Sequence, residues 1–156
     1  MTFRTRGLFK EDLAALASRA YEVALEQCCG CANYHIYWPV RRAAGIVGGS
    51  DADRVAIVEQ VEKASWPRRG RSFQCQRVLI AGAADTGILS AVAEGLYTAG
   101  GREILERTSI TVVDRCTTPL TLCREFAQRH GLDVTTSQAD LLAFGSTNEF
   151  DLIVMH

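Results

Sequence analysis

At 156 residues the chain has the length of one domain, with room for a helical extension. A hydrophobic fraction of 47% excludes general disorder, and a net charge of −1 excludes an overall field that recruits nucleic acid or an anionic membrane. No apolar run approaches the ~18 residues of a membrane span and the first residues lack a signal-peptide core, so the expected compartment is the cytosol, with reduced thiols.

Leu8 to Cys29 carries Leu13, Leu16, Ala17, Ala20, Tyr21, Ala24 and Cys28 at helical spacing. This predicts an amphipathic helix with Glu11 and Asp12 in its first turn and Gly30 as its stop. Cys28-Cys29-Gly30-Cys31, with His35 as a fourth ligand, invites a metal reading. Structural zinc usually needs a second matching pair, and none exists here. No metal is therefore expected; Cys75, Cys116 and Cys123 fall among core elements, and the thiols read as small packed hydrophobes.

Half of the tyrosines and tryptophans lie between Tyr34 and Trp38. Two readings stay open for them: aromatics packed on the domain, or a lid over a ligand. Pro39 is placed to start a short helix through Ala44, ended by Gly45. Ser50 with Asp53 suits a capping-box-like helix start, and Val55, Val58 and Val61 form a narrow apolar stripe on a helix through about Ala64. Pro67 to Ser72 is a polar connector and the expected boundary between a helical extension, residues 1–70, and a core, residues 71–156. The arginines at 41–42 and 68, 69 and 71 read as solvated loop and helix-end charge.

In the core, Val78-Leu79-Ile80 is a short apolar run of the kind that forms a buried parallel strand. A turn of small residues follows, Ala81 to Gly87, and then a helix, Ile88 to Ala99, closed by Gly100-Gly101. Strand, tight turn and helix bring backbone N–H groups and a helix N-terminus to a nucleotide-like ligand, so Gly82–Gly87 is the main ligand candidate. Arg102 to Ser109 reads as a long link. Ile110 to Val113 is a second strand ending on Asp114, where such folds bind ribose hydroxyls; an ordinary helix-capping aspartate is the other reading. Thr117 or Thr118 can cap a helix beginning at Pro119, with Leu120, Cys123, Phe126 and Ala127 buried and Gly131 as its end. Val134 to Gln138 is β-prone and leads to Asp140. Ala139 to Asn148 is a loop or short helix, and Phe150 to Met155 a fourth strand. Strands alternating with helices imply a parallel sheet.

Val78–Leu89, Thr111–Asp114, Gln138–Leu142 and Phe150–Met155 resemble the four successive motifs of class I S-adenosylmethionine-dependent methyltransferases. The resemblance covers roughly Gln76 to Met155. It implies an α/β Rossmann-like parallel sheet with an N-terminal helical extension, and S-adenosylmethionine as cofactor. It implies cofactor contacts from Ala81, Gly82, Ala83, Asp85, Gly87, Asp114, Asp140 and Leu141. Against the family's acidic-x-Gly-x-Gly-x-Gly pattern, Ala81 holds the acidic position, Ala83 the first glycine and Asp85 the second. The departure implies either that Asp85 takes over contact with the methionine amino group or that cofactor binding is weak. Asp114 would accept from the ribose hydroxyls and Asp140 from the adenine amino group, with Leu141 or Leu142 on the ring. Asp114 lies 27 residues beyond Gly87, more than the ~20 of a dinucleotide site, because of the Gly100–Ser109 insertion.

No catalytic base is assigned; His156, at the end of the sequence, is a poor candidate. The family's core has seven strands and four are counted here, so the chain is expected to be the front portion of such an enzyme. Its fourth strand would be an apolar edge prone to self-association. The methyl acceptor is left open. The rival readings are a non-catalytic nucleotide-binding or interaction module, and a nicotinamide-dependent oxidoreductase with Ala84 at the middle glycine of Gly-x-Gly-x-x-Gly.

Overall fold

Among the described residues four short β-prone runs, three of them apolar, pair into one parallel sheet: β1 (Arg77–Ala81), β2 (Ser109–Asp114), β3 (Val134–Gln138) and β4 (Leu152–Met155), in the order β3-β2-β1-β4. The structure, a computed structural model, describes residues 7–43, 51–65, 77–145 and 149–155. The register sets Ile80 beside Val112 and Val154, and Asp114 beside Gln138. The C-terminal ends of β1, β2 and β3 therefore lie side by side. Among the described residues five helices accompany the sheet: α1 (Leu13–Gln27), α2 (Cys29–Ala43), α3 (Asp51–Ser65), α4 (Gly87–Arg107) and α5 (Thr117–His130). A parallel sheet with helical crossovers between β1 and β2 and between β2 and β3 is an α/β Rossmann-like fold.

Alternate strand residues point to one face, and Val78, Ile80, Ile110 and Val112 share a buried cluster with Leu89, Val92 and Leu96 of α4 and Leu120, Cys123 and Phe126 of α5. Both crossover helices thus cover the same face of the sheet. Phe126 and Leu96 are fully buried, and removing such side chains costs about 2–5 kcal/mol each. Leu152 and Val154 pack against this cluster, whereas Ile153 and Met155, on the other face of β4, are exposed.

The sequence placed the strands within a residue or two. It placed α4 and α5 with informative differences. The helix closed by Gly100-Gly101 does break there: Gly100 (φ −165°, ψ 23°) and Gly101 (φ 70°, ψ −159°) are non-helical. Only Gly101 needs glycine for its positive φ. The expected link beyond it is helical again to Arg107, with Ile104 and Leu105 buried. α5 starts at Thr117, so Pro119 sits inside its first turn, where a missing N–H leaves nothing unsatisfied. Gly131 ends it in the left-handed conformation, as expected (φ 64°, ψ 42°).

The N-terminal helices depart further. α1 begins after Asp12, whose carboxylate accepts from Ala15 N–H at 2.8 Å. It stops at Cys28, in extended backbone (φ −159°, ψ 110°), and not at Gly30. The Cys28 carbonyl then accepts from Ala32 N–H at 3.0 Å, which starts α2 immediately. Gly30 lies in the first turn of α2, and α2 runs on through Pro39 rather than starting there. Along α3, Val61 is buried while Val55 is exposed; Ile57 and Val61 face the core. Ser50, Pro67–Ser72 and Cys75 lie outside the described residues. No helix of the described residues is long and apolar enough to cross a membrane.

Candidate functional site

The turn after β1 is shaped by one glycine and one distant carboxylate. Gly82 takes φ 81°, a conformation that disfavours any Cβ, and its N–H donates to the Val113 carbonyl at 2.9 Å. Ala83 N–H donates to Asp114 Oδ2 at 2.8 Å, and Cys116 N–H donates to Asp114 Oδ1 at 2.7 Å. Asp114 is therefore a clamp: it joins the β1 turn to the β2 turn. Each carboxylate oxygen keeps further lone pairs for a ligand hydroxyl.

Asp85 has a different position. It is 7% exposed, its Oδ1 accepts from Gly87 N–H at 2.6 Å, and it is not among the residues that border the cleft described below. A Cβ on Gly87 would stand 2.9 Å from that oxygen, so glycine there is what lets Asp85 close the start of α4. Ala81 ends β1 as a buried residue.

Above this turn lies the start of α2. Cys28, Gly30, Cys31, Tyr34 and His35 face Gly82, Ala83, Ala84, Asp114, Cys116 and Pro119 across a cleft of about 360 Å³. The segment expected either to pack or to act as a lid is split: Tyr34 borders the cleft, Tyr37 is 63% exposed, and the side chain of Trp38 is outside the described residues. His35, 3% exposed, stacks edge-on against Tyr34 with ring centroids 5.1 Å apart. Its Nε2 has no hydrogen-bond partner among the described residues. Burial pushes its pKa below the ordinary value, partly opposed by the charge of Asp85, so the ring is neutral near pH 7.

The cleft also gathers three thiols that the sequence left apart. Cys28, Cys31 and Cys116 have sulfurs within 4.8 Å of one another, with Cys28 Sγ and Cys116 Sγ 3.9 Å apart. Cys116 is not a core residue. It is the half-buried residue before α5, carried to the cleft by the β2 turn. The backbone N–H of Cys31, in the first turn of α2, is the main cause holding the Cys28 thiol below its usual range. Burial pushes Cys31 up to about 12 and raises Cys116. Cys123 behaves as the sequence suggested: it is fully buried in the core, its Sγ pointing at the Asp85 carbonyl at 3.8 Å.

Asp140 and Leu141 stand further out. The register puts Gln138 opposite Asp114, and Asp140 is two residues beyond it. Its Oδ1 accepts from Leu142 N–H at 3.0 Å and its Oδ2 lies 3.8 Å from Arg115 Nε. Leu141 is 38% exposed and Leu142 fully so, and none of the three borders the cleft.

A larger groove of about 680 Å³ lies between the start of α1 and α5. Its charges are spent on each other: Arg19 holds Glu125 through Nη2 at 2.6 Å, and Glu11 accepts from both Arg129 and Thr86. The smaller cleft is the functional candidate because it sits at the strand ends and is bordered by His35, whose Nε2 has no partner among the described residues.

No family model matches the chain, and no curated protein does. Among solved structures, the chain is similar to coclaurine N-methyltransferase bound to N-methylheliamine and SAH, at 18% identity and a TM-score of 0.48. The match covers 67% of this chain and 26% of that one, so the chain spans about a quarter of that protein's length. A likeness at this level carries no argument about activity.

Proposed function

We propose that this chain is the cofactor-binding portion of a class I S-adenosylmethionine-dependent methyltransferase. The observation that carries the reading is the position of Asp114. It ends β2, borders the cleft, and is tied directly to the small-residue turn after β1. A carboxylate in that place accepts from two ribose hydroxyls, and the Gly82–Ala84 backbone lets a ligand approach closely. Tyr34 and His35 would then close over the ligand from α2. In this reading the adenine extends beyond the cleft to Asp140, with Leu141 or Leu142 packing on the ring.

Methyl transfer needs an in-line approach of acceptor and sulfonium, so the protein's task is to position both and exclude water. The described residues offer the donor half of that arrangement. The acceptor is not assigned. The chain is taken to work in the cytosol.

Calorimetry with S-adenosylhomocysteine and with NAD tests the reading. Tighter binding of S-adenosylhomocysteine is expected. Preference for NAD would overturn it in favour of a nicotinamide enzyme, and binding of neither would favour an interaction module.

A further inference from the structure

We propose that Cys28, Cys31 and Cys116 form a three-thiolate site for a soft d¹⁰ dication of the zinc class, at the edge of the cleft. The geometry carries it. Three sulfurs lie within 4.8 Å of one another. Zinc holds sulfur at about 2.3 Å, and tetrahedral angles then set the sulfurs about 3.8 Å apart. Cys28 Sγ and Cys116 Sγ already stand at 3.9 Å. A disulfide needs about 2.05 Å and joins two sulfurs, leaving the third unexplained.

The setting differs from that of a thiol packed as a small hydrophobe. Cys123 shows the packed case: fully buried in the core and outside the sulfur cluster. The three clustered thiols are only half-buried, and all border the cleft. Two come from the α1–α2 junction and the third from a turn 88 residues away from Cys28. The fold, not local sequence, brings them together.

One further feature suits the site. The Thr118 hydroxyl is fully buried with no hydrogen-bond partner among the described residues, and it stands next to Cys31. An orphan donor beside a sulfur is what an outer partner of a ligated thiolate looks like. His35 lies outside the sulfur cluster, so the described residues fill three positions of a tetrahedron.

The test uses the whole chain, purified under reducing conditions and dialysed against zinc. Elemental analysis should give about one zinc per chain. Cys28→Ser and Cys116→Ser should each lower occupancy at least tenfold with an unchanged circular dichroism spectrum, while Cys29→Ser should keep it. A second measurement needs no variant. On the wild-type chain, zinc should shield Cys28, Cys31 and Cys116 from alkylation while Cys29 still reacts, and a chelator should remove the shielding. Cobalt in place of zinc should show the sulfur charge-transfer band of a tetrahedral thiolate site. Absence of bound zinc, alkylation that ignores zinc, or a Cys28–Cys31 disulfide that persists under reductant would each overturn the proposal.

Discussion

The α3–α4 seam and the cleft at the strand ends treat polar groups in opposite ways. Along its middle, α4 packs on α3, and Arg54 and the buried Ser90 and Glu94 there are partnered within the chain. Arg54 donates to both Ser90 and Glu94, and Glu94 also accepts from Gly7 N–H at 2.7 Å. Gly95 lets α3 come so close that a Cβ would stand 2.7 Å from Val61 Cβ and 2.8 Å from the Val58 carbonyl oxygen. The cleft at the strand ends differs: among the described residues His35 Nε2, on its border, and the Thr118 hydroxyl, next to its lining residue Pro119, are buried without hydrogen-bond partners, and three thiols face one another. Both regions are built by close packing. The difference is that one has spent its hydrogen-bonding capacity on the fold and the other has kept it.

If that contrast is right, substitutions on the α3–α4 flank act on stability and substitutions in the cleft act on binding. The largest effect should come from Glu94→Ala. It leaves Arg54, whose side chain is 14% exposed, without its anion. Breaking one partner of such a pair costs about 3–5 kcal/mol, measured as a lower urea midpoint. Gly95→Ala comes next. In an open helix that change stabilises by up to about 1 kcal/mol, but here the added carbon meets backbone and a β-branched side chain. A net loss of about 1–3 kcal/mol is expected. A neutral or stabilising result would show that α3 can move aside.

Asp114→Ala should cost about 1–3 kcal/mol in binding of S-adenosylhomocysteine, the range for a charge-assisted hydrogen bond. Because Asp114 also accepts from Ala83 and Cys116, Asp114→Asn, which keeps one acceptor, should lose less than Ala does. Equal losses would mean the clamp is unimportant to the ligand.

The smallest effect concerns pH. His35 and His130 both have pKa values lowered by burial, with Arg129 adding to the effect at His130. The unfolded chain therefore takes up more protons below about pH 6.5, and stability should fall as pH drops through that value and level off below the folded pKa values. Urea midpoints from pH 7.5 to 5.5 would show it. A midpoint that rises on acidification would contradict the burial of both rings.

β1, β2, β4 and the β1 turn were legible because apolar β-prone runs leave few alternatives, β3 was legible from its β-branched residues, and the place of Asp114 at the end of β2 came with them. The N-terminal helices were less so. Gly30 looked like a stop and Pro39 like a start, yet the break falls at Cys28, whose carbonyl is taken by Ala32. A turn with no glycine or proline leaves little local signal. The thiol cluster was illegible for another reason. Cys28 and Cys31 are a weak motif by themselves, and Cys116 joins them only through the docking of α2 over the strand ends, which spacing does not encode. Thr118 and His35 are likewise distinguished by having no hydrogen-bond partner among the described residues, a property of the folded chain alone.

The central claim is that the cleft between α2 and the β1–β2 turns, not the groove between α1 and α5, receives the ligand. Amide chemical shifts of the labelled chain titrated with S-adenosylhomocysteine test it most directly. The account predicts shifts at Gly82, Ala83, Ala84, Asp114, Tyr34 and His35, with Arg19, Glu125 and Arg129 unmoved. Shifts confined to those last three, or none at the strand ends, would contradict it.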